Sequence, residues 1–450
     1  MLLTHARCSR ASAGSANSSN NAIAIAFIGT RYNAYIAPVV SDRSQARAAT
    51  LAVVVAALGY FVDIYDLILF GMVRGASLKD LGVTDITGEG IFLLNMQMGG
   101  MLLGGILWGI LGDKRGRLSV LFGSITLYSI ANIVNGTVDT VEGYAWCRLI
   151  AGIGLAGELG AGITLVSELL GRQTRGIGTT IVAAFGISGG VMAGLLGGAF
   201  PGIGVHWRTA YYIGGGMGLA LLVLRIGVVE SGMFAKALEQ KVSRGNFFSL
   251  FTDRKRLLKY LAIIAVGVPV WYVVGILFTL SPELGLALGL PEAPRAATAL
   301  FLVYAGLAVG DLGSGLLSHF LRSRRRALGI CLVATTLVVI AYFVLGGRSL
   351  TTFYVIAALG GVATGYWAVF VSTAAELFGT NLRATVATTV PNFVRGSLVL
   401  VAMGFTALKD YGPVTAAAVM GVLSLAVAFA GLYALPETYG ADLDYHEDET

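Results

Sequence analysis

Residues 168–180 read ELLGRQTRGIGTT, and residues 376–389 read ELFGTNLRATVATT. The shared frame is Glu-Leu-x-Gly-x-x-x-Arg, which sets Glu168 against Glu376 and Arg175 against Arg383, each pair 208 positions apart. An echo of this kind divides the chain into two similar halves if both copies fall at the same point of each half, and hydropathy places them so. Of the sequence, 56% is hydrophobic and 12% charged, against about a quarter charged in a soluble domain. Cutting at charges, prolines and polar clusters, with about 20 apolar residues per crossing, predicts twelve spans. They lie near 51–73, 91–112, 118–138, 143–169, 177–200, 209–229, 259–281, 297–319, 327–346, 352–374, 385–408 and 413–435. The two copies of the motif follow spans 4 and 10.

The expected architecture is therefore an all-α polytopic membrane protein of two pseudo-symmetric six-helix bundles, 48–229 and 259–435. A loop, 230–258, separates them, and tails 1–47 and 436–450 flank them. A second echo supports the division: GILGDKRGR, Gly109 to Arg117, follows span 2, and GLLSHFLRSRRR, Gly315 to Arg326, follows span 8 with His319 in the place of Asp113. Repeats in the same orientation describe parallel bundles related by an axis along the membrane normal, with the substrate between them at mid-depth. Of 31 Lys and Arg, 22 fall in the N-terminal tail and the even-numbered loops and six in the odd loops. Both termini are then expected in the cytoplasm of a plasma (inner) membrane protein. The net charge of +6 reflects that asymmetry and does not suggest a nucleic-acid partner. The first 41 residues contain Arg and Ser but no Asp or Glu, a composition shared with transit peptides; a disordered tail and an over-extended start are the competing readings.

Enzyme classes find little support. Three cysteines, Cys8, Cys147 and Cys331, are too few and too scattered for a disulfide framework or metal cluster. The four histidines, at 5, 206, 319 and 446, all lie away from mid-membrane, and no glycine loop for a nucleotide phosphate is present. No cofactor is expected. A small-molecule substrate, protons and the bilayer are the expected partners, and the chain is expected to act as a monomer.

The charges inside the spans carry the chemistry. LGYFVDIYDLILFGMV, Leu58 to Val73, holds Asp63 and Asp66, and each Asp at a helix centre costs about 2.5–3.5 kcal/mol. At i and i+3 they share one face, which must meet the cavity or another helix. Counting 1.5 Å per residue, Asp66 lies about 10 Å and Arg148 about 8 Å below the same membrane face, so they can meet. Asp63 and Glu158 share a second depth, and a static inter-helix hydrogen bond competes with ion coupling for each acid. Asp311 and Arg395 share a third depth in the second half. Either they neutralise each other, or Arg395 is free to anchor a substrate carboxylate. Trp271, Tyr272, Tyr366 and Trp367 could line the same space. Glycine, 62 residues in all, recurs at helix-contact spacing at Gly100, Gly104 and Gly109 and at Gly186, Gly190 and Gly194, which suits close packing of helices in lipid.

With these residues in view, the sequence resembles the major facilitator superfamily. Gly109-x-Leu111-x-Asp113-Lys114-x-Gly116-Arg117 matches its loop between helices 2 and 3. RLIAGIG, Arg148 to Gly154, and Glu168 with Arg175-Gly176 are similar to its fourth-helix pattern. PETYGADLD, Pro436 to Asp444, resembles the ending of sugar porters and their relatives. Asp63-x-Tyr65-Asp66 resembles the first-helix motif of aromatic-acid:proton symporters, with Ile64 in place of a glycine. Sugar-porter signatures are missing from ESGMF after span 6, from span 7 and from GYWAVF in span 10, which argues against a hexose. The resemblance implies that Asp66 is the proton site, modulated by Arg148. It also implies that Asp113 and Arg117 latch the two halves when the site faces outward; Glu168, Arg175, Glu376 and Arg383 are assigned to gating with them. The expected function is proton-coupled transport of a small carboxylate-bearing solute by alternating access. Proton antiport, uniport of a neutral solute such as a sugar, and substrate sensing on a transporter scaffold are the alternatives.

Overall fold

The computed structural model describes residues 42–115, 117–160, 162, 175–230 and 247–440. Among them the secondary structure is helical, as a chain must be whose backbone polar groups have to be satisfied within each membrane segment. In chain order the helices are α1 (Asp42–Asp80), α2 (Ile86–Arg115), α3 (Arg117–Asn135), α4 (Val141–Leu155), α5 (Arg175–Leu196) and α6 (Trp207–Glu230). The second half contributes α7 (Arg254–Tyr272), α8 (Ser281–Ala287), α9 (Ala296–Leu321), α10 (Arg324–Leu345), α11 (Leu350–Thr364), α12 (Trp367–Glu376), α13 (Thr380–Leu408) and α14 (Pro413–Ala434). Nine helices among the described residues are long and apolar enough to cross a membrane, and 119–135 and 185–196 are shorter apolar helices. The expected fourth span, 143–169, is described as α4, a turn at 156–157, a helical stretch at 158–160 and residue 162; 161 and 163–169 lie outside the described residues.

Helix pairing repeats between the halves. In the first, α2 packs on α4, and α3 packs on α4 and α6. In the second, α9 packs on α11, and α10 packs on α11 and α14. The same pairing in the same order is what a duplicated sequence should build. The halves meet through α2 on α13 and α5 on α9. Two of the glycines at helix-contact spacing open the second seam: a Cβ at Gly190 would stand 2.4 Å from the ring of Tyr304, and one at Gly194 would stand 2.8 Å from Cβ of Phe301. Gly100 and Gly104 instead press on the α4 backbone at Leu149 and Ile153.

Burial is inverted relative to a soluble protein. Val223, Phe320, Leu337, Val344, Leu400 and Val422 are exposed, whereas Asp63, Asp66, Arg148, Glu158, Arg225 and Arg395 are buried. Hydrocarbon rewards the first set and penalises the second, so the charges collect in the interior.

Two spans are interrupted where continuous helices were expected. α7 contains Pro269 and loosens into a π-helical stretch at Val273–Phe278, where the Thr279 amide donates to Val274 O at 3.0 Å. The tenth span breaks at Gly365 and Tyr366 into α11 and α12. Gly365 abuts Gly310 of α9, where a Cβ on Gly365 would lie 2.6 Å from the Gly310 Cα. Of the expected loop 230–258, residues 247–250 form a 3₁₀ turn whose Phe247 and Leu250 are buried, and Phe247 reaches Phe393 of α13 at 6.3 Å between ring centroids.

Candidate functional site

Asp63 of α1 and Arg395 of α13 join the two halves. Arg395 Nη2 donates to Asp63 Oδ2 at 3.3 Å, with both side chains almost fully buried. The contact is single and long. Asp63 Oδ1 and the Nε and Nη1 of Arg395 have no hydrogen-bond partner, so one donor edge of the guanidinium and one carboxylate oxygen stay open. Trp367 lies 5.8 Å from the Arg395 guanidinium carbon, within cation–π range. Its indole N–H is unpartnered.

The sequence offered Asp311 as a neutralising partner for Arg395, and the structure gives that place to Asp63. Asp311 Oδ1 instead accepts the amide of Ala368 at 3.0 Å, capping from α9 the free N-terminus of α12 that the break at Gly365 creates. The other aromatic residues divide. Trp367 belongs to the Arg395 site, and Trp271 is buried with its indole N–H unpartnered. Tyr366 donates to Val266 O at 2.9 Å and Tyr272 to Ala417 O at 2.7 Å, so both hydroxyls are committed to packing within the second half.

Asp66 lies one helical turn beyond Asp63 and is also fully buried. The expected meeting with Arg148 occurs in altered form: Arg148 Nη2 reaches the Asp66 main-chain oxygen at 3.5 Å, a weak contact, and both carboxylate oxygens have no hydrogen-bond partner. Arg148 sits between aromatic faces, 5.4 Å from the Tyr211 ring and 5.8 Å from Phe70. Glu158, matched by depth to Asp63, is held by Arg225 of α6 through two hydrogen bonds, one of them from Nη1 to Oε2 at 3.0 Å. Gly59 makes room for that pair, since a Cβ there would come within 2.0 Å of Glu158 Oε1. Arg225 is a partner that depth counting does not supply. Its signal was available, as a lone Arg in the apolar run LLVLRIGVV, residues 221–229.

A second cross-half contact closes the end at which α1 finishes. Arg74, 2% exposed, donates to both oxygens of Glu283 of α8 at 2.6 and 2.8 Å, to Thr279 O at 3.2 Å, and to Ile86 O at 3.2 Å. It thus grips the residue that ends the π-helical stretch of α7. Sequence counting had treated Arg74 as a loop charge.

At the opposite end, three motif fragments converge. Glu376 bonds Arg324 of the SRRR run at 2.9 Å, and its second oxygen accepts from Thr438 of the PETYG ending at 2.8 Å. Glu437 accepts from the Ser323 hydroxyl and from the Arg324 amide at 2.8 Å. Partial burial opposes ionisation of Glu437, but these bonds and those from the Tyr439 and Thr438 amides together hold its carboxyl below the ordinary range. Arg383, assigned to gating with Glu376, donates its Nε to Ala375 O at 3.2 Å. Glu168 and the side chains of Asp113, Arg117 and Arg175 lie outside what the structure describes.

Two helical halves with buried charges at their seam are the construction of a carrier, and a family model agrees: that of the Major Facilitator Superfamily matches residues 50–402. The chain belongs to the Major Facilitator Superfamily. Members of the superfamily are transporters, and this protein is a multi-pass membrane transporter and not an enzyme. Among curated relatives, it is 28% identical to a 3-(3-hydroxy-phenyl)propionate transporter of Escherichia coli strain K12, over 70% of this chain and 79% of that one. It is 25% identical to a gentisate transporter of Corynebacterium glutamicum, over 73% and 74%. Among solved structures, the proton:xylose symporter XylE superposes with a TM-score of 0.63 at 15% identity, covering 89% of this chain and 98% of the other, which fixes the fold.

Proposed function

We propose that the protein carries a small carboxylate-bearing metabolite into the cytoplasm together with a proton, by alternating access. It acts as a monomer in the plasma membrane, with both termini cytoplasmic. The observation that carries this reading is the buried Asp63–Arg395 contact across the seam. Arg395 is a carboxylate-binding group whose present carboxylate is internal, held at one oxygen and easily exchanged for that of a solute. A solute carboxylate on the open donor edge displaces Asp63, and an apolar body attached to it packs against Trp367.

Charge bookkeeping then requires a proton. Empty and with all groups ionised, Asp63, Asp66, Arg148 and Arg395 sum to zero. A bound carboxylate makes the sum −1 in a low-dielectric interior, where an uncompensated charge is expensive. A proton on Asp66 restores neutrality. Asp63, released from Arg395, stands three residues from Asp66 on one helix face, and two such carboxylates are not both charged without a cation. Substrate and proton therefore favour each other's binding, the reciprocity that symport needs. Names of relatives agree with the substrate class, since hydroxyphenylpropionate and gentisate transporters are among them.

Arg74–Glu283 closes the outer side in the present state, and Asp113 and Arg117 latch the inner side when the site faces outward. The Glu376–Arg324–Thr438 network belongs to the same inner gate, with Glu168, Arg175 and Arg383. The test is uptake of radiolabelled aromatic and aliphatic carboxylates into proteoliposomes, with and without an inward proton gradient. Gradient-driven accumulation of a carboxylate supports the reading. Accumulation of neutral sugars alone, or carboxylate uptake indifferent to the gradient, contradicts it.

A further inference from the structure

One region of the first half is polar, fully buried and unused by substrate recognition as described above. Along α3, the Tyr128 hydroxyl, the Ser129 hydroxyl and the Asn132 side-chain amide are buried, and none of these polar groups has a hydrogen-bond partner. Buried polar groups in folded proteins are almost always satisfied, by protein or by water. Three in one turn and a half of helix, beside an equally unpartnered Asp66 carboxylate, mark a place built for water.

The neighbouring helix is shaped to match. Gly214, Gly218, Leu221 and Arg225 follow the i, i+4, i+7, i+11 spacing of one α6 face. A Cβ at Gly214 would lie 2.2 Å from Asp66 Oδ1, and one at Gly218 would lie 2.0 Å from Ser129 Oγ. The two glycines thus leave notches at the positions of polar atoms, and Arg225 ends the face on Glu158. The Asn132 side chain neighbours the Asp66 carboxyl. The Tyr128 ring borders the same notch, its Cε2 3.1 Å from a Cβ placed on Gly218. From Asn132 to Tyr128 the row advances about 6 Å along α3, away from Asp66 and toward the Glu158–Arg225 pair.

We propose that this row is the proton exit of the carrier: a hydrated path inside the first half, running from Asp66 past Asn132, Ser129 and Tyr128 to Glu158. The proposal rests on the reading of Asp66 as the proton-carrying acid. A proton leaving the Asp66 carboxyl passes to water held by these side chains, and a proton arriving at the other end is taken by the Glu158 carboxylate. That weakens the hold of Glu158 on Arg225 until the inward-facing state of the carrier lets Glu158 give the proton up. No bond other than O–H changes. The proton thus leaves by a route separate from the substrate cavity at the seam, so substrate release and proton release need not share an opening.

The test compares wild type, Tyr128→Phe, Asn132→Leu and Asp66→Asn in proteoliposomes, using a carboxylate identified by the uptake screen. Tyr128→Phe keeps the ring and removes only the hydroxyl. The proposal expects Tyr128→Phe and Asn132→Leu to slow gradient-driven uptake by about tenfold or more, equivalent to about 1.4 kcal/mol on the barrier. Exchange of labelled for unlabelled substrate, which needs no net proton release, continues, and uptake becomes more sensitive to D₂O. Wild-type uptake in both variants while Asp66→Asn loses it would overturn the path and leave the reading of Asp66 intact. Equal loss of uptake and exchange would show a packing role and also overturn it. Accumulation that survives Asp66→Asn removes the reading and the path together.

Discussion

Replacing Asp63 by Asn tests the seam contact through a gain as well as a loss. The variant keeps side-chain shape but leaves Arg395 charged, buried and uncompensated when the carrier is empty. Losing one partner of a buried pair costs about 3–5 kcal/mol; because the native contact is single and 3.3 Å long, the lower end of that range applies. A carboxylate ligand recovers part of this by binding the freed guanidinium, with a charge-assisted hydrogen bond contributing about 1.5–3 kcal/mol. Affinity should therefore rise by about tenfold to a hundredfold at 1.4 kcal/mol per decade. The charge count changes too: Asp66, Arg148 and Arg395 sum to +1 empty and to zero with a carboxylate bound, so no proton is required. Isothermal titration of purified protein in buffers of different ionisation enthalpy reads both quantities. Wild type should take up about one proton per carboxylate bound and Asp63→Asn close to none, as linkage demands. Weaker binding than wild type, or undiminished proton uptake, would refute the account of the pair.

Asp311→Asn should leave transport near normal because asparagine can still accept the Ala368 amide, whereas Asp311→Ala should lower stability by about 0.5–2 kcal/mol, the usual cost of a lost cap; thermal unfolding in detergent measures both. Glu283→Gln should shift the carrier toward the outward-open state, seen as greater labelling of a cysteine placed at Thr279 by a membrane-impermeant thiol reagent; unchanged labelling would remove Arg74–Glu283 from the gate. Glu437, with its carboxyl held below the ordinary range, adds stability that is fully present above the unfolded-state value and is lost as pH falls through the lowered one. Below about pH 4, wild-type stability should accordingly fall toward that of Glu437→Gln, and melting temperatures across pH 3–7 check the convergence.

The helical architecture in two halves was legible because it rests on quantities a sequence displays directly: apolar length and a motif repeated at 168–180 and 376–389. The buried acids were legible for the same reason, since Asp63 and Asp66 interrupt an apolar run. Partner choice was not. Depth counted along a helix set Arg395 beside Asp311 and Asp63 beside Glu158, and the rotation of α1, α9 and α13 about their axes, which the count leaves out, gives Arg395 to Asp63 instead. Asp311 has the further role of capping a helix that begins in mid-span, and the break at Gly365 carries no proline to announce it. Likewise, the Glu376–Arg324 pair was not legible, because the chain returns to this corner through Thr438 and Glu437 only after α14. Arg225 was legible in principle, for a lone Arg in an apolar span is a costly charge that calls for a partner, and Glu158 stood without a cation.

The central claim is that Asp66 carries the proton that accompanies a carboxylate substrate. Its most direct measurement is simultaneous recording of internal pH, by a trapped dye, and labelled carboxylate uptake in proteoliposomes holding wild type or Asp66→Asn. Wild type should acidify the lumen by about one proton per substrate, the number that keeps the cavity neutral, while Asp66→Asn should exchange substrate without moving protons or accumulating it. Acidification that continues in step with substrate uptake by Asp66→Asn would contradict the account.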